Sequence, residues 1–253
     1  MEQLQYTGEN GARRDHIVDL SLVIPTRNEA GNIPLLYSRL SSCLDHDNSE
    51  VVFVDDSDDT TAHMISSLDW PMRTRLVTRK PEDRHGGLST AVLGGFQQSH
   101  AQYIAVMDAD LQHPPELLPT MLMSAKKDDL DMIIGSRFVK GGSTDGLDGP
   151  VRKMASRGTI FATQLLFPKI RDIQDPMSGF FLFNSKILEN SRLDPQGFKI
   201  LLEMLINTNW VNIDEVPYRF ERRMHGESKL NWKEVLSIYT HILKLRTHNA
   251  SSS

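Results

Sequence analysis

Asp108-Ala109-Asp110-Leu111-Gln112 places two carboxylates at i and i+2, with a side-chain amide two residues further on. Oxygen ligands in this pattern suit a hard divalent cation, Mg²⁺ or Mn²⁺, which keeps part of its shell for water and substrate phosphates. Two acids at this spacing are also what an ordinary solvated loop carries. The position directly after the apolar run Tyr103–Met107 raises the metal reading above that background. A second acidic cluster, Asp55-Asp56-Ser57-Asp58-Asp59, packs four carboxylates together. Such crowding costs Coulomb energy unless cations or hydrogen-bond donors offset it. A carboxylate accepts well from a base N–H or a ribose hydroxyl, so Asp56 reads toward a nucleoside. Asp58 or Asp59 reads as the cap of a following helix. Basic residues supply the counterpart. Arg137 follows Gly135-Ser136, Arg152 and Arg157 open a helix, and Arg222, Arg223 and Lys229 flank His225-Gly226-Glu227-Ser228. A guanidinium grips phosphate bidentately and Lys adds a point charge, although a surface ion pair competes for any one of them. Asp175, in Asp175-Pro176-Met177-Ser178-Gly179-Phe180, reads as a turn residue.

Groups of this kind need a frame that brings them together. Short apolar runs at Leu20–Pro25, Glu50–Asp55, Thr74–Thr78, Tyr103–Met107 and Asp131–Gly135 read as strands. Helical stretches read between them: one with Ile33, Leu36, Leu40 and Leu44 on a face, one near Thr60–Leu68, one around Leu88–Gln98, and one opened by Pro115 and Pro119. Strand and helix in alternation predict a mostly parallel α/β sheet with helices on both faces. The non-alternating apolar character of these strands fits burial on both sides. Ligands in such sheets bind beyond the carboxyl ends of the strands, where Pro25–Glu29, Asp55–Asp59 and Asp108–Asp110 would line one crevice. The second half reads as a loop at Gly141–Gly146, a helix near Val151–Phe167, a strand at Phe180–Phe183, a helix at Lys199–Ile206 and an edge strand at Ile213–Phe220. Met154, Gly158, Phe161 and Leu165 share one face of the first of these helices. Residues 1–17 read as a flexible tail, 18–230 as one catalytic domain, and 231–253 as an amphipathic helix and tail carrying Trp232, Val235, Leu236, Tyr239, Ile242 and Leu243.

Composition narrows the class. Of 253 residues, 39% are apolar and 24% charged, which is enough for a sizeable core. The single cysteine, Cys43, excludes a disulfide framework and a cysteine-based zinc site. The polar amino terminus lacks the apolar stretch of a secretory signal, and no run reaches the ~20 apolar residues of a membrane helix. A net charge of −5 argues against nucleic acid as a partner. The charge is uneven: residues 1–131 carry 11 Lys/Arg against 21 Asp/Glu, and residues 132–253 carry 17 against 12. Acids to hold a cation would thus face bases to hold phosphates, unless both halves are plain solvated surface.

The ordered set PTRNE, VDDSDDTT, DADLQHPPE, GSR, DPMSGFF and RMHGESKL resembles the family 2 inverting glycosyltransferases, and among them the polyprenyl- or dolichyl-phosphate mannosyltransferases. The match runs from about Ser21 to Asn231. The resemblance implies a GT-A fold and transfer of mannose from GDP-mannose to a lipid phosphate. It implies that Pro25, Arg27 and Glu29 begin the nucleotide site and that Val54 and Asp56 meet base and ribose. Asp108, Ala109, Asp110 and Gln112 would hold the diphosphate and metal, with Asp110 and Gln112 as the metal ligands. Arg137, Arg223 and Lys229 would hold sugar and phosphates, with Arg152 and Ser156 toward the acceptor phosphate. It further implies a peripheral enzyme at the cytoplasmic face of a membrane, with room for a membrane-subunit partner. Arg27 stands where an aromatic is common, and the acidic turn is one residue short of the common form.

An acceptor phosphate is anionic near neutral pH, so it needs no strong general base. Catalysis would rest on positioning and on stabilising the leaving diphosphate, with Asp110, Arg137, Arg223 and Lys229 as the groups that act. UDP-glucose or another nucleotide sugar is the alternative donor. A phosphohydrolase with Asp108 as nucleophile ranks low, because Gln112 stands where such enzymes want Thr or Val. A dinucleotide oxidoreductase would need a glycine-rich turn in place of Pro25–Glu29.

Overall fold

The computed structural model describes residues 6–7, 18–146, 150–194 and 199–221, with backbone alone for 6–7 and 150–155. Arg223, Lys229 and the amphipathic segment 231–246 lie outside the described residues, as does nearly all of the tail 1–17.

β-branched and apolar residues make β2 (Val18–Thr26), β3 (Ser49–Asp55), β4 (Arg73–Thr78) and β5 (Ala101–Val106), joined by α1 (Ile33–Cys43), α2 (Thr61–Ser67) and α3 (Gly87–Gln98). After α4 (Leu118–Lys127) come β6 (Met132–Ser136), α5 (Pro150–Leu166), β7 (Phe181–Asn184), α6 (Ile200–Asn207) and β9 (Ile213–Pro217). The seven strands order as β4-β3-β2-β5-β7-β6-β9. A separate pair joins β1 (Tyr6–Thr7) to β8 (Arg192–Leu193).

The sheet is mostly parallel, as its alternating elements require. The exception is β7, which runs antiparallel between β5 and β6. Alternate side chains feed two cores. Val23, Val52, Ile104 and Phe183 pack with α3 and α6 on one face; Leu22, Phe53, Tyr103 and Leu182 pack with α1 and α4 on the other. Helix α3 lies close on β2 because Gly95 has no side chain: a Cβ there would sit 2.3 Å from Val23 Cγ1. Pro217 ends the edge strand β9, where a missing N–H is tolerated.

The chain leaves β2, builds β3 and β4 to one side, then returns to place β5 on the other. That reversal opens a crevice at the carboxyl ends of β2 and β5. Helix α5 turns Ile160 and Thr163 inward, while Phe161 and Leu165, one turn apart, are each 69% exposed. Among the described residues no helix is long and apolar enough to cross a membrane.

Candidate active site

Three strand ends build one wall of the crevice. The hydroxyls of Thr26 and Ser57 both donate to Asp55 Oδ1 at 2.6 Å, which ties the end of β2 to the turn after β3. Asn28 takes a left-handed φ of 57°, a conformation its short polar side chain tolerates. Its N–H donates to Ser57 Oγ at 2.8 Å and its Oδ1 accepts from the Asp58 N–H at 2.9 Å. Thr60, not Asp58 or Asp59, is the N-cap of α2; Asp59, one residue earlier, accepts from the Thr61 N–H at 2.9 Å. Crowded carboxylates find cations here. Arg79, at the end of β4, donates from Nε to Asp56 Oδ1 at 2.7 Å and from Nη2 to Oδ2. Arg84 donates to Asp58 Oδ1 at 2.7 Å, which holds that carboxyl below its usual range. Asp56 is therefore a buried, ion-paired carboxylate at the end of β3. Val54 and Ala109 are buried and Pro25 with them, so these positions offer main chain and shape, while Arg27 is exposed.

The second wall is the segment after β5. Asp108, Asp110 and His113 offer ligand atoms that all lie within 4.8 Å of one another. Leu111 between them is buried and has φ 62°, a left-handed conformation that is strained for a bulky residue. The reversal lets Asp110 Oδ1 accept from the Gln112 N–H at 3.1 Å. Gln112 Nε2 donates to the Glu221 carbonyl at 2.8 Å, so its amide oxygen is the atom it can offer a cation. Gly179 leaves space for Asp108: a Cβ would stand 3.0 Å from Asp108 Oδ2. A hard divalent ion fits this donor set of carboxylates, amide and imidazole.

His113 packs flat on Phe180 at 5.4 Å and edge-on to Tyr218 at 5.5 Å. Burial pushes its pKa down to about 4, against the pull of Asp110. The ring is thus neutral near pH 7, and the Asp108 N–H points at its Nδ1 at 3.4 Å.

Arg137, at the end of β6, faces this wall. Its Nε and Nη2 each donate to Asp175 at 2.8 Å, and its backbone N–H donates to the same carboxylate at 3.1 Å. Burial works against the guanidinium charge, but the Asp175 bonds outweigh it and raise the pKa. Asp175 is more than a turn residue: it is fully buried, and its own N–H donates to Glu215 Oε1 at 2.9 Å. Ser156 is half-buried on α5, one helical turn after Arg152, so the two share a face.

The structure thus gathers Asp56, Asp108, Asp110, Gln112 and Arg137 at one edge of the sheet. Sequence reasoning missed Arg79 and His113. His113 lies inside the DADLQH segment, and Arg79 directly follows a strand, which are the signals that could have found them.

Residues 21–192 match the glycosyl transferase family 2 model. The dolichol-phosphate mannosyltransferase of Pyrococcus furiosus is 42% identical over 227 residues, covering 89% of this chain and 63% of that protein. The chain thus spans less than two thirds of the Pyrococcus relative. The Saccharomyces cerevisiae protein of the same name is 35% identical, covering 90% of this chain and 87% of its own length. Among solved structures, the fold is similar to mannosyl-3-phosphoglycerate synthase from Rubrobacter xylanophilus, with TM-score 0.65, 15% identity, and coverage of 92% and 74%. It is similar too to glucosyl-3-phosphoglycerate synthase from Mycobacterium tuberculosis in complex with Mg²⁺ and UDP, with TM-score 0.66, 17% identity, and coverage of 90% and 78%. The doubly covered sheet, its crevice at the strand ends and these matches together place the chain in glycosyl transferase family 2.

Proposed function

We propose that this protein transfers mannose from GDP-mannose to a polyprenyl (dolichyl) phosphate with inversion at the anomeric carbon. The observation that carries the reading is the facing of Asp108 and Asp110 by Arg137 at the carboxyl edge of a family 2 fold, in a chain 33–42% identical to dolichol-phosphate mannosyltransferases. Asp56, Pro25 and the main chain at Val54 form the nucleoside end of the pocket. Asp108 and Asp110, with Gln112, would hold Mg²⁺ or Mn²⁺ beside the diphosphate. When bound, the ion supplies neutralisation of the leaving group's charge. Arg137 is fixed by Asp175 before substrate arrives, so it orients a phosphate without reorganising. Arg223 and Lys229 are assigned to the phosphates, and Arg152 with Ser156 to the acceptor phosphate. The acceptor is already anionic, which leaves alignment as the main task of the protein.

Access to a lipid phosphate favours work at a membrane surface, and the exposed Phe161 and Leu165 of α5 suit such a surface. We place the protein peripherally, at the cytoplasmic face. The test is incubation with radiolabelled GDP-mannose, Mn²⁺ or Mg²⁺ and a short polyprenyl phosphate, followed by organic extraction. Label in the organic phase is expected, with UDP-glucose giving at least tenfold less. Label that stays aqueous with every acceptor would overturn the reading.

A further inference from the structure

Most described cations at this site are already matched. Arg79 is bound to Asp56, Arg84 to Asp58 and Arg137 to Asp175. Lys199 differs. It is part-buried at the position preceding α6, and its Nζ donates to the Met177 carbonyl at 3.1 Å. Among the described residues no carboxylate pairs with it. The charges that act on it are Arg137, Asp175 and Asp108, in that order.

Three physical conflicts meet at this side chain. An ammonium drawn part-way out of water without a counter-ion is disfavoured. A cation at the amino end of a helix opposes the helix dipole, which favours anions there. A second cation, Arg137, repels it. Burial and that repulsion bring its pKa down to about 8, so the group remains mostly charged at neutral pH. Local rules broken together without a structural return mark functional positions.

Its support also has a direction. Met177 belongs to the turn 175–180, which carries Asp175 against Arg137 and Gly179 against Asp108. A Lys199 ammonium resting on that turn lies near enough to Arg137, Asp175 and Asp108 to feel all three charges. An incoming phosphate would remove all three conflicts at once, by giving the ammonium its missing anion.

We propose that Lys199 is a phosphate-binding residue of this site, its ammonium taking an oxygen of either the donor diphosphate or the acceptor phosphate. The inference rests on the glycosyl-transfer reading but is tested separately from it. Lys199→Gln keeps an N–H for the Met177 carbonyl and loses the charge; Lys199→Arg keeps the charge. Calorimetry with GDP and Mn²⁺, and with inorganic phosphate, needs neither sugar nor lipid. Steady-state kinetics with GDP-mannose and a short polyprenyl phosphate follow. The Gln variant is expected to lose at least 30-fold in kcat/KM and the Arg variant less than tenfold. Weaker GDP binding assigns the ammonium to the donor diphosphate. A raised KM for the lipid with GDP binding unchanged assigns it to the acceptor. Should the Gln variant fail to fold, protection of wild-type Lys199 from amine acylation by GDP or inorganic phosphate, read by peptide mass, decides. A folded Gln variant with wild-type binding and turnover, or an unprotected Lys199, would overturn the proposal. Wild-type inactivity toward every lipid phosphate would instead defeat the transfer reading and leave the binding tests standing.

Discussion

Asp110 shows what a residue's type and neighbours establish. It is 5% exposed, follows an apolar strand and shares its space with Asp108 and His113. Asp110→Ala is expected to lower transfer at least 100-fold while the circular dichroism spectrum and melting temperature stay near wild type. An active Asp110→Ala protein would remove the metal assignment. Asp175 makes a different prediction, because it is the partner of a buried guanidinium. Asp175→Asn leaves Arg137 without its counter-charge, at a cost of about 3 kcal/mol. The melting temperature should fall by on the order of 10 °C, with transfer lost in parallel. Wild-type stability in that variant would mean that Arg137 has another anion. The Asp108–Gln112 segment was legible in the sequence, since its ligands are adjacent in the chain. The Arg79–Asp56 and Arg137–Asp175 pairs were not, because each joins residues far apart in sequence and nothing local marks the partner.

At the scale of elements, apolar runs located the strands of the seven-stranded sheet to within a few residues, but not the short pair β1–β8. They carried no information on direction, so the antiparallel course of β7 stayed hidden. Phe181–Phe183 is apolar and the whole of Phe181–Asn184 is buried, as a parallel strand would be. Helix α6 holds another feature that pattern alone could not grade. Glu203 is 1% exposed in a mostly apolar helix and accepts from the Asp194 N–H. Burial raises its pKa from 4.5 to about 7. A raised carboxyl favours the folded state while protonated, so its contribution is complete below pH 4.5 and is lost as pH climbs through 7. Glu203→Gln should abolish that loss, gaining on the order of 3 kcal/mol at pH 8 and little at pH 4.5. Chemical denaturation of both proteins at the two pH values measures it. Equal gains at both would refute the titration account.

The whole molecule is a sheet in two parts. Strands β4, β3, β2 and β5 are parallel and carry the acidic loops; β7, β6 and β9 carry Arg137 and the turn 175–180. Between strands, the parts join through the β5–β7 pairing of Tyr103↔Asn184 through Val106↔Phe181. Phe181→Ala should cost about 3–5 kcal/mol, and hydrogen exchange should accelerate more in β6, β7 and β9 than in β2 and β3. Uniform acceleration would mean that the two parts open as one.

That strand order has a consequence for biosynthesis. The four parallel strands are contiguous in sequence, from Val18 to Val106, and so leave the ribosome before any residue of β7. Chains fold from the amino terminus as they emerge. The pairing that closes the seam spans about 75 to 80 residues and must wait for the rest. A nascent chain would therefore present Asp56 and Asp58 already matched by Arg79 and Arg84, but Asp108 and Asp110 before Arg137 and the turn 175–180 have been translated.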